Sequence, residues 1–324
     1  MSLSILFVTA MYPHAERPGS GAFVMHQAEQ LRALGHRVDV VLIRGYRSRW
    51  NYLKGAIEVL RATWRGNYEV VHVHYGLTGI SALLRWRTPL VVTLHGSDVQ
   101  QGRIQPLVSR LIAKLAEATI VVSPDLAARC PGTIIPCGVD LARFRPSDRR
   151  SARETLGLLQ DRKYILFPFD PKRRLKRFDL AEAAVELLRQ DGCEVSLLPV
   201  FDAPNEAMPT YYSAADAMIL CSDTEGSPTS VKEALACNLP VVATDVGDVR
   251  FLLEGIEGAQ LCQQTAVSLA SGLRRVLSRQ DWSAFRGRQA MEKFDQAMTA
   301  KKLVEVYRSV APKARPYSAR LGTS

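Results

Sequence analysis

From Ala217 to Cys237 the chain sets an apolar strand, a turn and a helix in immediate succession, and this stretch most narrows its choice of fold. Ala217 to Cys221 has the length and apolar character of a buried parallel strand, and Ser222 to Gly226 is turn chemistry. Ser227 is expected at the N-cap and Pro228 at the first helical position, with Val231, Ala234 and Leu235 spaced for a packed face. A helix that starts this way aims unpaired N–H groups at the crevice beyond the strand, where roughly half a positive charge makes an anion site. Glu225 in the turn and Glu233 two helical turns in flank that tip. Amides donate to phosphates and carboxylates accept from hydroxyls, so a sugar nucleotide would satisfy the whole set. A capped helix with solvated glutamates is the plainer alternative.

The alternation recurs along the chain. Leu3 to Thr9, Val38 to Ile43, Val70 to His74, Pro89 to Leu94 and Ala118 to Val122 read as strands, with a helix over Ala22 to Leu34 between the first two. After a linker expected over Arg143 to Lys163, strands restart at Tyr164, Val195, Met218 and Val241, with helices over Asp179 to Gln190, Ser268 to Leu277 and Ala284 to Tyr307. The 324 residues suffice for two doubly wound domains, expected over 1–150 and 151–297, followed by a basic, disordered tail over 312–324. Six scattered cysteines without a Cys-x-x-Cys pair point to reduced thiols and a cytoplasmic location, and Met1 to Val8 reads as a first strand rather than a signal peptide. The net charge of +10 implies anionic partners.

Several loops carry chemistry. Gly19 and Gly21 follow the first strand without a G-x-G-x-x-G pattern, so they let backbone approach a ligand and do not indicate a nicotinamide cofactor. Arg44 to Arg65 interleaves Tyr46, Trp50, Tyr52 and Trp64 with six basic residues around an apolar stripe. Read as a helix, that segment either lies on an anionic membrane surface or packs on the core with solvated arginines. His72 and His74 share a strand face without a third ligand at metal spacing, so no metal is expected. His95 ends a strand, where open α/β sheets bind ligands. Phe169 to Arg177 is a cationic strand-to-helix turn holding Arg173, Arg174 and Lys176, suited to charge developing on a pyrophosphate; the turn after Pro199, at Asp202, is a weaker candidate for holding a base.

Glu225-Gly-Ser-Pro-Thr-Ser-Val-Lys-Glu233-Ala-Leu-Ala-Cys237 resembles the Glu-x7-Glu signature of retaining glycosyltransferases of family 4, which have the GT-B fold of two Rossmann-like domains facing each other across a cleft. Arg17 to Val24, Val91 to Asp98 and Thr133 to Pro146 are similar to other segments of that family, with Cys137 where asparagine is usual. The turn at 169–177 is similar to its Gly-Arg-x…Lys-Gly segment; Lys176 matches the lysine, whereas Asp170 stands near the arginine position, which leaves Arg173 or Arg174 as substitutes. The resemblance implies transfer of a sugar from a nucleotide diphosphate to a hydroxyl. Ser227, Pro228, Thr229, Ser230 and Lys176 would hold the pyrophosphate, Glu233 the ribose and Glu225 the sugar, with His95 beside the anomeric centre or the acceptor. It implies a helix over 298–310 packing back on the first domain. It also implies no metal, and a sugar or lipid-linked acceptor in polysaccharide, lipopolysaccharide or glycolipid synthesis, with enzyme placed at the inner face of the membrane. The rivals are a sugar-nucleotide 2-epimerase of the same fold and a non-catalytic nucleotide-sugar- or nucleic-acid-binding protein. No nucleic-acid-binding motif supports the latter.

Overall fold

The computed structural model describes residues 2–311 apart from 17–19, 101, 202 and 283–284, so Gly19, Asp202 and the 312–324 tail lie outside the described residues. The first domain carries β1 (Ser4–Thr9), β2 (Arg37–Leu42), β3 (Val70–His74), β4 (Leu90–Leu94), β5 (Ala118–Val121) and β6 (Thr133–Ile134). Its helices are α1 (Ala22–Ala33), α2 (Trp50–Arg65), α3 (Ser97–Gln100), α4 (Gln105–Leu115) and α5 (Pro124–Arg129), with a 3-10 segment at Gly76–Ala82. The second domain carries β7 (Lys163–Phe167), β8 (Val195–Pro199), β9 (Ala217–Leu220), β10 (Val241–Thr244) and β11 (Gln260–Cys262). Its helices are α6 (Arg149–Leu156), α7 (Phe178–Gln190), α8 (Met208–Ala214), α9 (Thr229–Ala236), α10 (Val249–Leu253), α11 (Ala266–Ser278) and α12 (Gly287–Met291), and α13 (Gln296–Val310) closes the described chain.

Both sheets are parallel throughout, in the orders β2-β1-β3-β4-β5-β6 and β11-β10-β9-β7-β8. Helices cover both faces, so strands such as β3, β4 and β9 are buried along their whole length; β9 reads as an unbroken apolar run, while β3 and β4 also bury His72, His74 and Thr93. Strand order reverses between β1 and β3 in one sheet and between β7 and β9 in the other. Crevices at the carboxyl ends of such strand pairs are where doubly wound sheets bind ligands.

Three expectations need correction. The stretch read as a linker holds α6, because Asp148 caps it and Arg153, buried at 4% exposure, reaches Asp216 at 2.7 Å and the Ala214 carbonyl at 3.0 Å. That anchorage makes α6 part of the second domain's body. The helix read over Ala284 to Tyr307 is broken at Asp295, whose side chain caps α13 and whose backbone bridges Val139. Within 44–65, only Trp50–Arg65 is helical. α13 lies against α1, and its Ala300, Leu303, Val304 and Tyr307 share a core with Ile5, Phe7 and Val24 of the first domain.

Candidate active site

The two loops leaving the β7/β9 switch point are sewn together. Asp223 N donates to the Leu175 carbonyl at 2.9 Å, which sets Lys176 against Glu225. Lys176 Nζ donates to Glu225 Oε1 at 2.5 Å and lies 4.0 Å from the Phe169 ring centroid, while Ser222 Oγ donates to the same carboxylate oxygen at 2.6 Å. Burial pulls the Lys176 ammonium below its ordinary value, and Glu225 opposes that shift. Four residues into α9, Glu233 Oε2 accepts from the Tyr212 hydroxyl at 2.8 Å. Burial raises its carboxyl to about 7 against that hydrogen bond.

α9 begins one residue later than expected. Pro228 occupies the N-cap with φ −66° and ψ 113°, and no side chain caps the first turn. Ser227 cannot serve, because its Oγ donates to Asp248 Oδ2 at 2.6 Å and accepts from Lys232 Nζ. Lys232 is completely buried, 3.6 Å from Asp248 Oδ2 and 5.5 Å from the Phe294 ring centroid. The amides of Thr229 and Ser230 thus stay free of side-chain caps at the cleft, as an anion site requires.

The first domain contributes a neutral wall. His95 leaves the end of β4 in a turn held by Asp98, which accepts from the His95 amide at 3.0 Å and the Gly96 amide at 2.9 Å. Its ring packs on Phe23, Tyr75 and His74 at centroid distances of 4.9, 4.7 and 5.4 Å. His95 Nε2 and His74 Nδ1 are 3.2 Å apart, and His72 bridges Thr93 Oγ1 at 2.7 Å and the Tyr307 hydroxyl of α13 at 2.6 Å. Burial holds His95 and His72 down at about 3 and His74 well below its ordinary value, so the stack is uncharged near neutrality. Among the described residues no group of three His, Cys, Asp or Glu side chains is placed to hold a metal ion.

These walls meet. A Cβ on Gly226 would lie 1.9 Å from the His95 carbonyl oxygen, and one on Gly96 would lie 2.8 Å from Gly226 Cα, so the two backbones touch where only glycine fits. His95, Arg173, Lys176, Glu225, Glu233 and the 227–230 turn line one cleft of about 480 Å³ between the domains. Gly21, at φ 69° over the Met11 carbonyl, lines an adjoining cavity of about 290 Å³ that shares Glu233 and Thr229 with the cleft.

Residues 18–143 match the family model described as Glycosyltransferase Family 4, and residues 176–279 match that described as Glycosyl transferases group 1. The D-inositol 3-phosphate glycosyltransferase of Nocardia farcinica (strain IFM 10152) is 30% identical over 77% of this chain and 69% of its own. The chain belongs to glycosyltransferase family 4. The transferase is also 27% identical, over 95% of its chain and 99% of the other, to the Bacillus subtilis (strain 168) protein named for teichuronic acid biosynthesis, glycosyltransferase TuaC. Its GT-B fold matches that of sucrose-phosphate synthase from Thermosynechococcus elongatus at TM-score 0.79 and 21% identity, covering 96% and 99% of the two chains. Anabaena HepE in complex with UDP and glucose matches at TM-score 0.72 and 18% identity, over 95% and 100%.

Two site expectations fare differently in this transferase. Arg173 lines the cleft, whereas Arg174 is exposed and absent from the cleft lining, because it opens the 3-10 turn that carries Lys176 inward. Ser227 lies at the cleft, but its hydroxyl is spent on the buried network. Sequence reasoning assigned nothing to Lys232, Asp248 or Tyr212. The available signal for Lys232 was a lysine set directly beside Val231 in a helix packed on apolar residues.

Proposed function

We propose that this glycosyltransferase moves a sugar from a nucleotide diphosphate to a hydroxyl acceptor with retention of configuration and without a metal ion. The observation that carries the reading is the convergence of Lys176, Arg173, the uncapped start of α9, Glu225 and Glu233 on one cleft. In this reading Lys176, Arg173 and the Thr229 and Ser230 amides counter the charge that grows on the departing diphosphate, which supports metal independence. Glu225, released from Lys176 by the incoming phosphates, accepts from the sugar hydroxyls, and Glu233 accepts from the ribose. The leaving phosphate takes the acceptor proton on the face it departs, which preserves configuration, while the uncharged His95 wall shields the anomeric carbon from water. The relative named for teichuronic acid biosynthesis spans nearly the whole of both chains and supports a saccharide acceptor; a polysaccharide or glycolipid product made on the cytoplasmic side is part of the same proposal.

A thermal-shift screen of UDP-, GDP- and dTDP-sugars, followed by turnover in EDTA and assignment of the product anomer by NMR, tests this. A donor raises the melting temperature of the wild type, the Glu225→Gln/Glu233→Gln variant loses that shift, and the product keeps the donor's anomeric configuration. An inverted product, or full donor binding by the double variant, overturns the reading.

A further inference from the structure

Large apolar side chains are exposed singly across the second domain, at Leu159, Phe251 and Val267, as on any protein surface. In the first domain they are gathered. Trp50, Leu53, Ile57 and Trp64 form an outward stripe on α2, with Trp50 72% and Trp64 69% exposed. Ile104, Leu107, Leu111 and Leu115 form a second stripe along α4, with Ile104 72% and Leu107 64% exposed. The 3-10 segment Gly76–Ala82 lies between the two helices. Gly76 and Gly79 abut Ser109 and Ile112 of α4, and Ser81 Oγ donates to the Tyr52 carbonyl of α2 at 2.8 Å. With its small residues packed inward, this segment and the residues after it turn Ile80, Leu83 and Leu84 outward, where they complete an apolar groove of about 700 Å³ with Trp50 and Leu53. Trp86 then stacks on Trp64 at 5.7 Å, with the Arg87 guanidinium 5.3 Å from the Trp86 ring.

The charges that frame this face have one sign. Segments 44–65, 80–87 and 103–115 carry six, two and three Lys or Arg and a single acidic residue, Glu58; Glu117, just beyond, pairs with Arg85 at 3.3 Å. A second copy set against this face would bring like charges together. Apolar stripes framed by basic residues are suited to lying on a bilayer rather than crossing it.

We infer that α2, the Gly76–Leu84 segment and α4 form one docking face for an anionic phospholipid bilayer, with the two stripes at acyl depth and the basic residues on lipid phosphates. The reading deepens the one given for 44–65 by adding α4 and the bridge. It places the cleft beside the bilayer, since Tyr75 and Ser97, which line the cleft, lead directly into the bridge and into α3 and α4. Docking does not depend on the transfer chemistry, and it is measured without substrate, so either reading can fail alone.

Flotation of the full chain with phosphatidylglycerol vesicles, against phosphatidylcholine vesicles, tests the face. Partition is roughly tenfold or more higher on the anionic lipid, falls with salt, and drops by about tenfold in both Trp50→Ser/Trp64→Ser and Leu107→Ser/Leu111→Ser. Equal partition on the two lipids overturns the proposal. So does an unaltered Leu107→Ser/Leu111→Ser variant, because the face would then stop at α2. A dimer in light scattering that those serines dissolve would assign the face to a second copy instead. Should a variant fail to fold, tryptophan emission of the wild type decides: it shifts to the blue on phosphatidylglycerol, and an unmoved spectrum rejects docking.

Discussion

The two domains present opposite chemistry to one cleft. The second domain sets ions there, Lys176 on Glu225 at the cleft and Lys232 beside Asp248 buried behind it. The first sets neutral rings, with His72, His74 and His95 stacked among Phe7, Phe23 and Tyr75. Both are parallel sheets covered by helices, so architecture does not account for the difference. It follows from what each strand-end loop carries: cations and carboxylates suit a charged leaving group, and an uncharged aromatic wall suits a reacting carbon that must be kept from water. A fold used twice is thereby divided into a half that holds charge and a half that sets neutral rings.

Removing one buried group from each half gives the largest contrast. Lys232→Met leaves Asp248 buried without its cation, and Asp248 Oδ1 already has no hydrogen-bond partner, so urea unfolding should show a loss of about 3–5 kcal/mol. Tyr307→Phe removes only the hydroxyl facing His72 Nδ1 and should cost about 1 kcal/mol. Equal losses would mean that the buried ion pair is no more critical than a neutral hydrogen bond. The next effect is on rate. If the ammonium serves the departing diphosphate as proposed, Lys176→Met should lower kcat by roughly 10²–10³-fold in a donor assay. A variant that kept its kcat and lost only KM would show Lys176 to be a binding group whose contact is the same before and during reaction.

Much of this was legible in the residues. Most strands longer than three residues show as largely apolar runs, because parallel strands covered by helices are buried on both faces, whereas β2 holds Arg37 and Asp39 and buries only Val38 and Val41. The short edge strand at Gln260–Cys262 and the 3-10 segment at Gly76–Ala82 have too few residues for a period to show. α6 escaped because an arginine anchors it: Arg153 reads as surface charge until Asp216, far along the chain, is beside it. The same limit applies at the site. Lys176, Glu225 and Glu233 stand out by local spacing, but the contact of Lys176 with Glu225 is a tertiary fact. The misplaced N-cap has this cause too, since Ser227 looks like a cap until Asp248 and Lys232 occupy its hydroxyl.

The smallest expected effect separates the halves by pH. Burial raises Glu233 to about 7, while His95 and His72 sit at about 3. Between pH 6 and 8 the second domain's carboxyl therefore changes charge and the first domain's stack does not. The sign follows from the shift: a carboxyl raised above its ordinary 4.5 favours its protonated form in the fold, so its ionisation lowers stability as pH rises from 4.5 toward 7. On the proposed assignment of Glu233 to the ribose, donor binding runs the other way, because hydroxyls donate best to the carboxylate. Donor affinity measured by calorimetry should thus rise with pH across this window, by about tenfold at most. Glu233→Gln should flatten the profile, and Tyr212→Phe should move its midpoint upward by removing the hydroxyl that favours the ionised form. A profile unchanged in Glu233→Gln would place the titrating group elsewhere and return the charge-bearing role to Glu225 and Lys176 alone.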